Sequence, residues 1–239
     1  MKYIDLTLPT PQENLACDEA LLDWCEAGHG PEILRFWSAL EPFVAVGYAN
    51  KISIEVNLPA CHAHNVAVLR RCSGGGTVLQ EPGCLNYALI LNIQETGPLH
   101  SITETNRYIL QQHRDALAAL TGEAVEIRGT TDLAIGKRKF SGNAQRRRRR
   151  CLLFHGTFLL QLDIALVEKF LAMPSKQPGY RQNRSHADFL INLNVPPDAV
   201  KSALQRIWRA IEPLKSIPSA QIATLTQQKY STDEWNFKF

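Results

Sequence analysis

The chain has 239 residues, 45% of them hydrophobic and 21% charged, enough apolar material for one substantial core and too much for global disorder. Its net charge is +3, from 26 basic and 23 acidic residues. No apolar run approaches membrane-spanning length, and the N-terminus carries neither a signal-peptide core nor an Arg/Ser-rich transit segment. The six cysteines, Cys17, Cys25, Cys61, Cys72, Cys84 and Cys151, form no CxxC pair, which reads as reduced thiols in a cytoplasmic protein.

Asn14 to Glu26 predicts a helix, with Leu15, Leu21, Leu22 and Cys25 near one stripe. Short strands follow at 33–37 and 43–47, and a buried one at 66–71 runs into Gly74, Gly75 and Gly76. Residues 85–93 alternate, with Leu85, Tyr87, Leu89, Leu91 and Ile93 on one face, as on the core side of a sheet. Ile102 to Leu120 repeats apolar residues at helical spacing, and Gly122 is a natural C-cap. Strands are expected at 124–127, 132–135 and 152–161. A last helix begins near Pro197–Asp198, buries Val200, Leu204, Ile207 and Ile211, and is stopped by Pro213. The expected class is α+β: a mixed, mainly antiparallel sheet with helices packed on it, in one domain over residues 1–239.

Between 136 and 151 the apolar pattern fails, which predicts a loop between two strands. Without Lys137, Arg138, Lys139 and Arg146 to Arg150 the chain carries 18 basic against 23 acidic residues, so the basic character is local. That favours a small anionic ligand or an acidic partner over a long polyanion. A nucleic-acid module would interleave stacking aromatics with the charges, and only Phe140 and Phe154 flank the run.

Three segments could carry chemistry. In "RRCSGGGTVL" (70–79) the glycines expose backbone N–H groups, and Arg70 and Arg71 beside them would suit a phosphate. No GK[ST] follows and a strand comes next, which excludes a Walker A loop and a Rossmann fingerprint. In "KFSGNAQR" (139–146), Lys139 is a flexible point charge beside small residues that allow close approach of a ligand, and His155–Gly156–Thr157 opens the next strand. Asp132 begins a short strand just before and could bind an amino group or Mg²⁺. Cys61, His62 and His64 are too splayed on a helix for a metal site. Trp208 and Trp235 read as packing anchors.

Together these segments resemble the lipoate–protein ligase family, within the biotin/lipoate ligase fold. They are the Arg70–Arg71 pair with Gly74, Gly75, Gly76, Thr77 and Val78; the run Lys139 to Ala144 followed by His155–Gly156–Thr157; "NLACDEALL" (14–22); and "YSTDEWNFKF" (230–239). The resemblance implies ATP- and Mg²⁺-dependent activation of lipoate or octanoate to an acyl-adenylate. Transfer to a lysine of a lipoyl domain would follow, on 2-oxoacid dehydrogenase E2 subunits or the glycine-cleavage H protein. It implies Lys139 as the catalytic residue. Arg71, Gly74, Gly75, Gly76, Thr77, Val78, Leu79, Asp132, Lys139, Gly142 and Ala144 would form the adenylate site. Ser73, Lys139, Arg146 and His155 would line the lipoate site. Gln80–Glu81 stand where the family has His-Asp. The close at 230–239 implies either a separate small accessory chain or a form that acts alone.

The alternative on the same fold is an ATP-independent octanoyl or lipoyl transferase. Such enzymes hold the acyl group on a cysteine, and neither 122–136 nor the stretch before Gly179–Tyr180 contains one. Cys72 and Cys84, which flank the glycines, are the remaining candidates. A biotin ligase would need a different glycine motif.

Overall fold

The computed structural model describes residues 1–239. The first half contains β1 (Lys2–Asp5), α1 (Pro11–Glu26), β2 (Ile33–Trp37), β3 (Phe43–Val46), α2 (Ile52–Glu55), α3 (Leu58–Ala63), β4 (Ala67–Arg70), β5 (Val78–Gln80), β6 (Cys84–Asn92) and α4 (Ile102–Thr121). The second contains β7 (Val125–Arg128), β8 (Asp132–Ile135), β9 (Arg138–Arg147), β10 (Cys151–Leu159), α5 (Ile164–Phe170), α6 (His186–Phe189), α7 (Pro197–Ile207), β11 (Glu212–Pro213), α8 (Ser219–Leu225) and α9 (Asp233–Asn236).

Eight strands form the main sheet in the order β11-β1-β2-β6-β10-β9-β8-β7, and β4-β3-β5 form a smaller one. In the main sheet β1 runs parallel to both its neighbours; every other pairing there is antiparallel. The expected α+β class with a mixed, mainly antiparallel sheet is therefore correct. At the centre, β6 and β10 are buried on both faces. Tyr87, Leu89 and Leu91 of β6 meet Ile109, Leu110 and Leu117 of α4 and Leu204 of α7. Ala88 and Ile90 on the opposite face meet Leu15, Leu21 and Leu22 of α1. Burying a Leu or Ile side chain contributes about 1.5–3 kcal/mol, so these two layers fix how α1 and α4 sit on the sheet.

Local signals set the helix ends. Thr10 and Glu13 form a reciprocal capping box that starts α1 at Pro11, three residues before the expected Asn14. Ser101 caps α4, and Gly122 ends it in the left-handed region, φ 72°.

Two expectations are corrected. Residues 136–151 are not a loop: β9 spans Arg138–Arg147 and pairs with β8 and β10. Its apolar alternation is missing because several of its side chains face a polar cavity, while both neighbours satisfy its backbone. The α7 stripe stops at Ile207. Arg209 takes a left-handed φ of 48°, and Ile211 beyond it is 79% exposed.

One buried titratable group makes a pH prediction. His113 on α4 accepts a hydrogen bond from Trp208 Nε1 at 2.9 Å. Burial pushes its imidazole down to about 3. A folded-state value below the unfolded one means the unfolded chain binds the extra proton. His113 therefore contributes stability above about pH 6.5, which is lost as pH falls toward 3. A His113→Gln variant is expected to show a flatter decline of urea midpoint between pH 6.5 and 4 than the wild type.

Candidate active site

A cavity of about 400 Å³ opens between the glycine turn, β9, β10 and the segment 174–189, a size typical of small-molecule sites. Its apolar lining includes Leu15, Trp37, Phe43 and Ala45, and its charged lining includes Lys139 and Asp132. A second, more apolar lobe of about 100 Å³ adjoins it and shares Thr77, Val78, Lys139 and Gly142. Lys139 thus stands where the two lobes meet.

The strand geometry explains the lysine's position. The β8–β9 register slips between Leu133 and Ala134, leaving Asp132 opposite Gly142. The Lys139 side chain folds over Gly142, where a Cβ would lie 2.7 Å from Nζ. Lys139 Nζ then pairs with Asp132 Oδ1 at 2.7 Å. Tyr180 donates its hydroxyl to Asp132 Oδ2 at 2.9 Å. Burial, then the Asp132 charge, pushes that phenol upward, so it stays a donor. With both Asp132 oxygens engaged and no cluster of three metal-ligating groups in the structure, the donor set does not fit a resident Mg²⁺.

Asn143 ties β9 to the 130–131 turn. Its side chain donates to Thr131 O at 2.7 Å and accepts from the Tyr87 hydroxyl at 2.6 Å. Opposite it, Gly156 is required because a Cβ there would overlap Asn143 Oδ1. Gln80 donates to Thr157, Thr157 to Asn86, and Asn86 back to Gln80. This closed ring of buried side chains occupies the wall at the Gln80 position. Glu81 instead accepts from Asp163 N beside the start of α5.

A chain of hydrogen bonds runs through the wall. Arg71 Nε donates to Ser73 Oγ at 3.1 Å, and Ser73 Oγ shares a hydrogen bond with His155 Nε2 at 2.5 Å. His155 then donates from Nδ1 to Asp18 Oδ2 at 3.1 Å. Burial pushes the Asp18 carboxyl up, but the opposing pull of Arg35, with help from His155, leaves it below the usual carboxylate range.

Among the residues expected from sequence, Arg71, Gly75, Gly76, Thr77, Val78 and Asp132 line the main cavity. So do Lys139, Gly142, Ala144 and His155, and Leu79 lines the second lobe. Gly74 and Ser73 sit outside the lining. Arg71 also gives its N–H groups to Ala45 O, Gly74 O and Gly76 O, which shapes the glycine turn. Arg146 is not at the cavity: its guanidinium lies 5.8 Å from the Tyr48 ring centroid. Three of the four outer arginines are tied down. Arg147 donates to Leu99 O and His100 O, Arg148 pairs with Asp23 and Glu19, and Arg150 bonds Glu26. Sequence reasoning missed Asp18, Tyr180 and Arg181. The last two lie in "QPGYRQNR", a basic, turn-rich stretch without periodicity. That combination is the signal that could have flagged it.

No cysteine lines either lobe. Cys72 is buried in the α1 core cluster, and burial pushes its thiol up to about 12; Cys84 is likewise pushed up to about 12.

The chain is similar over its full length to proteins named octanoyltransferase LipM. That of Geobacillus kaustophilus is 28% identical, covering 99% of this chain and 98% of the relative. That of Bacillus subtilis is also 28% identical, over 99% and 98%. Among solved structures, a lipoate-protein ligase A bound with ATP has a TM-score of 0.79 at 26% identity, with 99% of both chains covered. The bipartite lipoate protein ligase of Thermoplasma acidophilum shares the fold, with a TM-score of 0.83 at 23% identity, over 99% of this chain and 95% of that one. The expectation of an ATP-dependent ligase is overturned by the octanoyltransferase relatives, which favour the ATP-independent alternative. The lipoyl protein ligase A/B catalytic-domain model matches residues 10–208, and with that match the chain belongs to this enzyme family.

Proposed function

We propose that the chain transfers a medium-chain acyl group, octanoyl first among them, from a thioester carrier to a lysine of a lipoyl domain without ATP. The observation that carries this reading is the cavity itself. It sets a more apolar lobe beside a lysine held by an aspartate, as an acyl chain with a reacting carbonyl at one end requires.

The acceptor amine attacks the thioester carbon. A C–N bond forms, the C–S bond breaks, and the proton shed by the nitrogen goes to the departing sulfur, leaving an amide and a thiol. Negative charge develops on the carbonyl oxygen, and the Lys139 ammonium stabilises it. Asp132 and Tyr180 hold the ammonium in place. Because no cysteine reaches the cavity, the transfer is direct, with both substrates bound together and proximity supplying much of the rate.

The test is incubation of the protein with an octanoyl-acyl-carrier protein and an apo-lipoyl domain in nucleotide-free buffer, followed by intact-mass analysis. The acceptor is expected to gain one octanoyl group. Modification that appears only when ATP and free octanoate are supplied would sink the reading.

A further inference from the structure

Eight buried side-chain nitrogens and oxygens lack a hydrogen-bond partner, and two belong to residues lining the main cavity: Trp37 Nε1 and Arg181 Nη2. The tryptophan is neutral. Arg181 carries a full charge, is 4% exposed and lines both lobes. Its Nε donates to Arg184 O at 3.1 Å, and its guanidinium carbon lies 4.7 Å from the Phe189 ring centroid. Successive left-handed residues, Gln182 and Asn183, fix the turn that follows it. Its neighbour Arg184 differs: all its nitrogens donate to carbonyls, and it lines neither lobe.

A buried guanidinium with an unpaired nitrogen, on a residue that lines both lobes, calls for an anion. No carboxylate of the walls fills that role. Asp18 is bound to Arg35 and His155, Asp132 to Lys139 and Tyr180, and Glu55 to Ser175. Burial, and then the nearby Arg184 charge, pull the Arg181 pKa down, so a bound anion would relieve both.

We propose that Arg181 is a second cationic substrate-binding residue, which with Lys139 holds a negatively charged oxygen on the first carbon of a medium-chain acyl group. This rests on the acyl-transfer reading and adds a second cation, beside Lys139, for the oxygen on which charge develops. A free fatty carboxylate stands in for that oxygen, and the matching alcohol has the same chain without the charge.

Calorimetric titration of the wild type with octanoate and with 1-octanol at pH 8 tests it. The wild type is expected to prefer octanoate. Arg181→Gln is expected to weaken octanoate by about 30-fold or more and to leave octanol within about twofold, and Arg181→Lys to recover part of the preference. A wild type that binds both equally, or an Arg181→Gln variant that keeps the full preference, overturns the proposal. If the preference stands but no octanoyl group moves from the thioester, the acyl-transfer reading falls and the anion site survives.

Discussion

Lys139→Ala is expected to lower octanoyl transfer by about 10²–10³-fold at saturating donor, the usual loss when one preorganised donor to a developing oxyanion is removed. Lys139 lines both lobes and lies 2.7 Å from Asp132. Its contribution comes from orientation: the lysine is pinned before substrate arrives, and its pair is only partly exposed, with side-chain exposures of 23% and 11%. Steady-state kinetics should show the loss in kcat more than in KM, because the charge it meets grows in the transition state. A rival account makes Lys139 merely the counter-charge of Asp132. The double variant Asp132→Asn/Lys139→Ala separates the two: it removes the unbalanced carboxylate, so recovered transfer would assign the lysine a structural role only.

The largest loss of stability is expected at Arg35, a fully buried charge. Its guanidinium is 0% exposed and donates to Asp18 Oδ1, Asn14 O, Asn14 Oδ1 and Leu6 O. Arg35→Met keeps the volume but leaves the Asp18 carboxylate in the core, with His155 as its remaining partner. Breaking one side of a buried ion pair costs about 3–5 kcal/mol, read as a lower urea midpoint at pH 7. The pH dependence has a definite sign. The folded-state Asp18 pKa is lowered, so the carboxylate contributes stability above its unfolded value, and that contribution is lost as pH falls through the folded value. The gap between wild type and Arg35→Met should therefore narrow toward acid pH. Asp18→Asn added to Arg35→Met should recover part of the loss. Asp18 also orients His155 in the cavity wall, so the damage reaches the site.

Much of the fold could be read from periodicity where an element buries one face. The alternation of Leu85, Tyr87, Leu89 and Leu91 located β6, and the stripe of Ile109, Leu110 and Leu117 located α4. Strand β9 escaped because a strand that lines a polar cavity carries Gly142, Asn143 and Ala144 where a core strand carries leucine. The site was legible where backbone must approach closely, at Gly75, Gly76 and Gly142, and where a lone lysine stood beside small residues. It was illegible where side chains meet across long sequence gaps. Tyr180 and Asp132 are 48 residues apart, and His155 and Asp18 are 137 apart; no local pattern encodes such pairs. The acyl donor was the hardest point. An acyl group on a thioester and one on phosphate ask for the same residue types, and the missing cysteine pointed toward the wrong one.

The two ends of the main sheet bear on what the molecule avoids. On one side the last strand, β11, is only Glu212–Pro213; proline has no N–H to offer, and the neighbouring carboxylate is held by Lys2 at 3.1 Å. On the other, β7 is four residues long and presents Glu126 and Arg128 paired at 2.7 Å. Short, charged or proline-bearing margins are poor templates for a further strand. Edge-to-edge growth into aggregates is thereby discouraged at both sides of an eight-stranded sheet, and replacing Pro213 or neutralising the β7 pair would remove a guard that neither the cavity nor the core supplies.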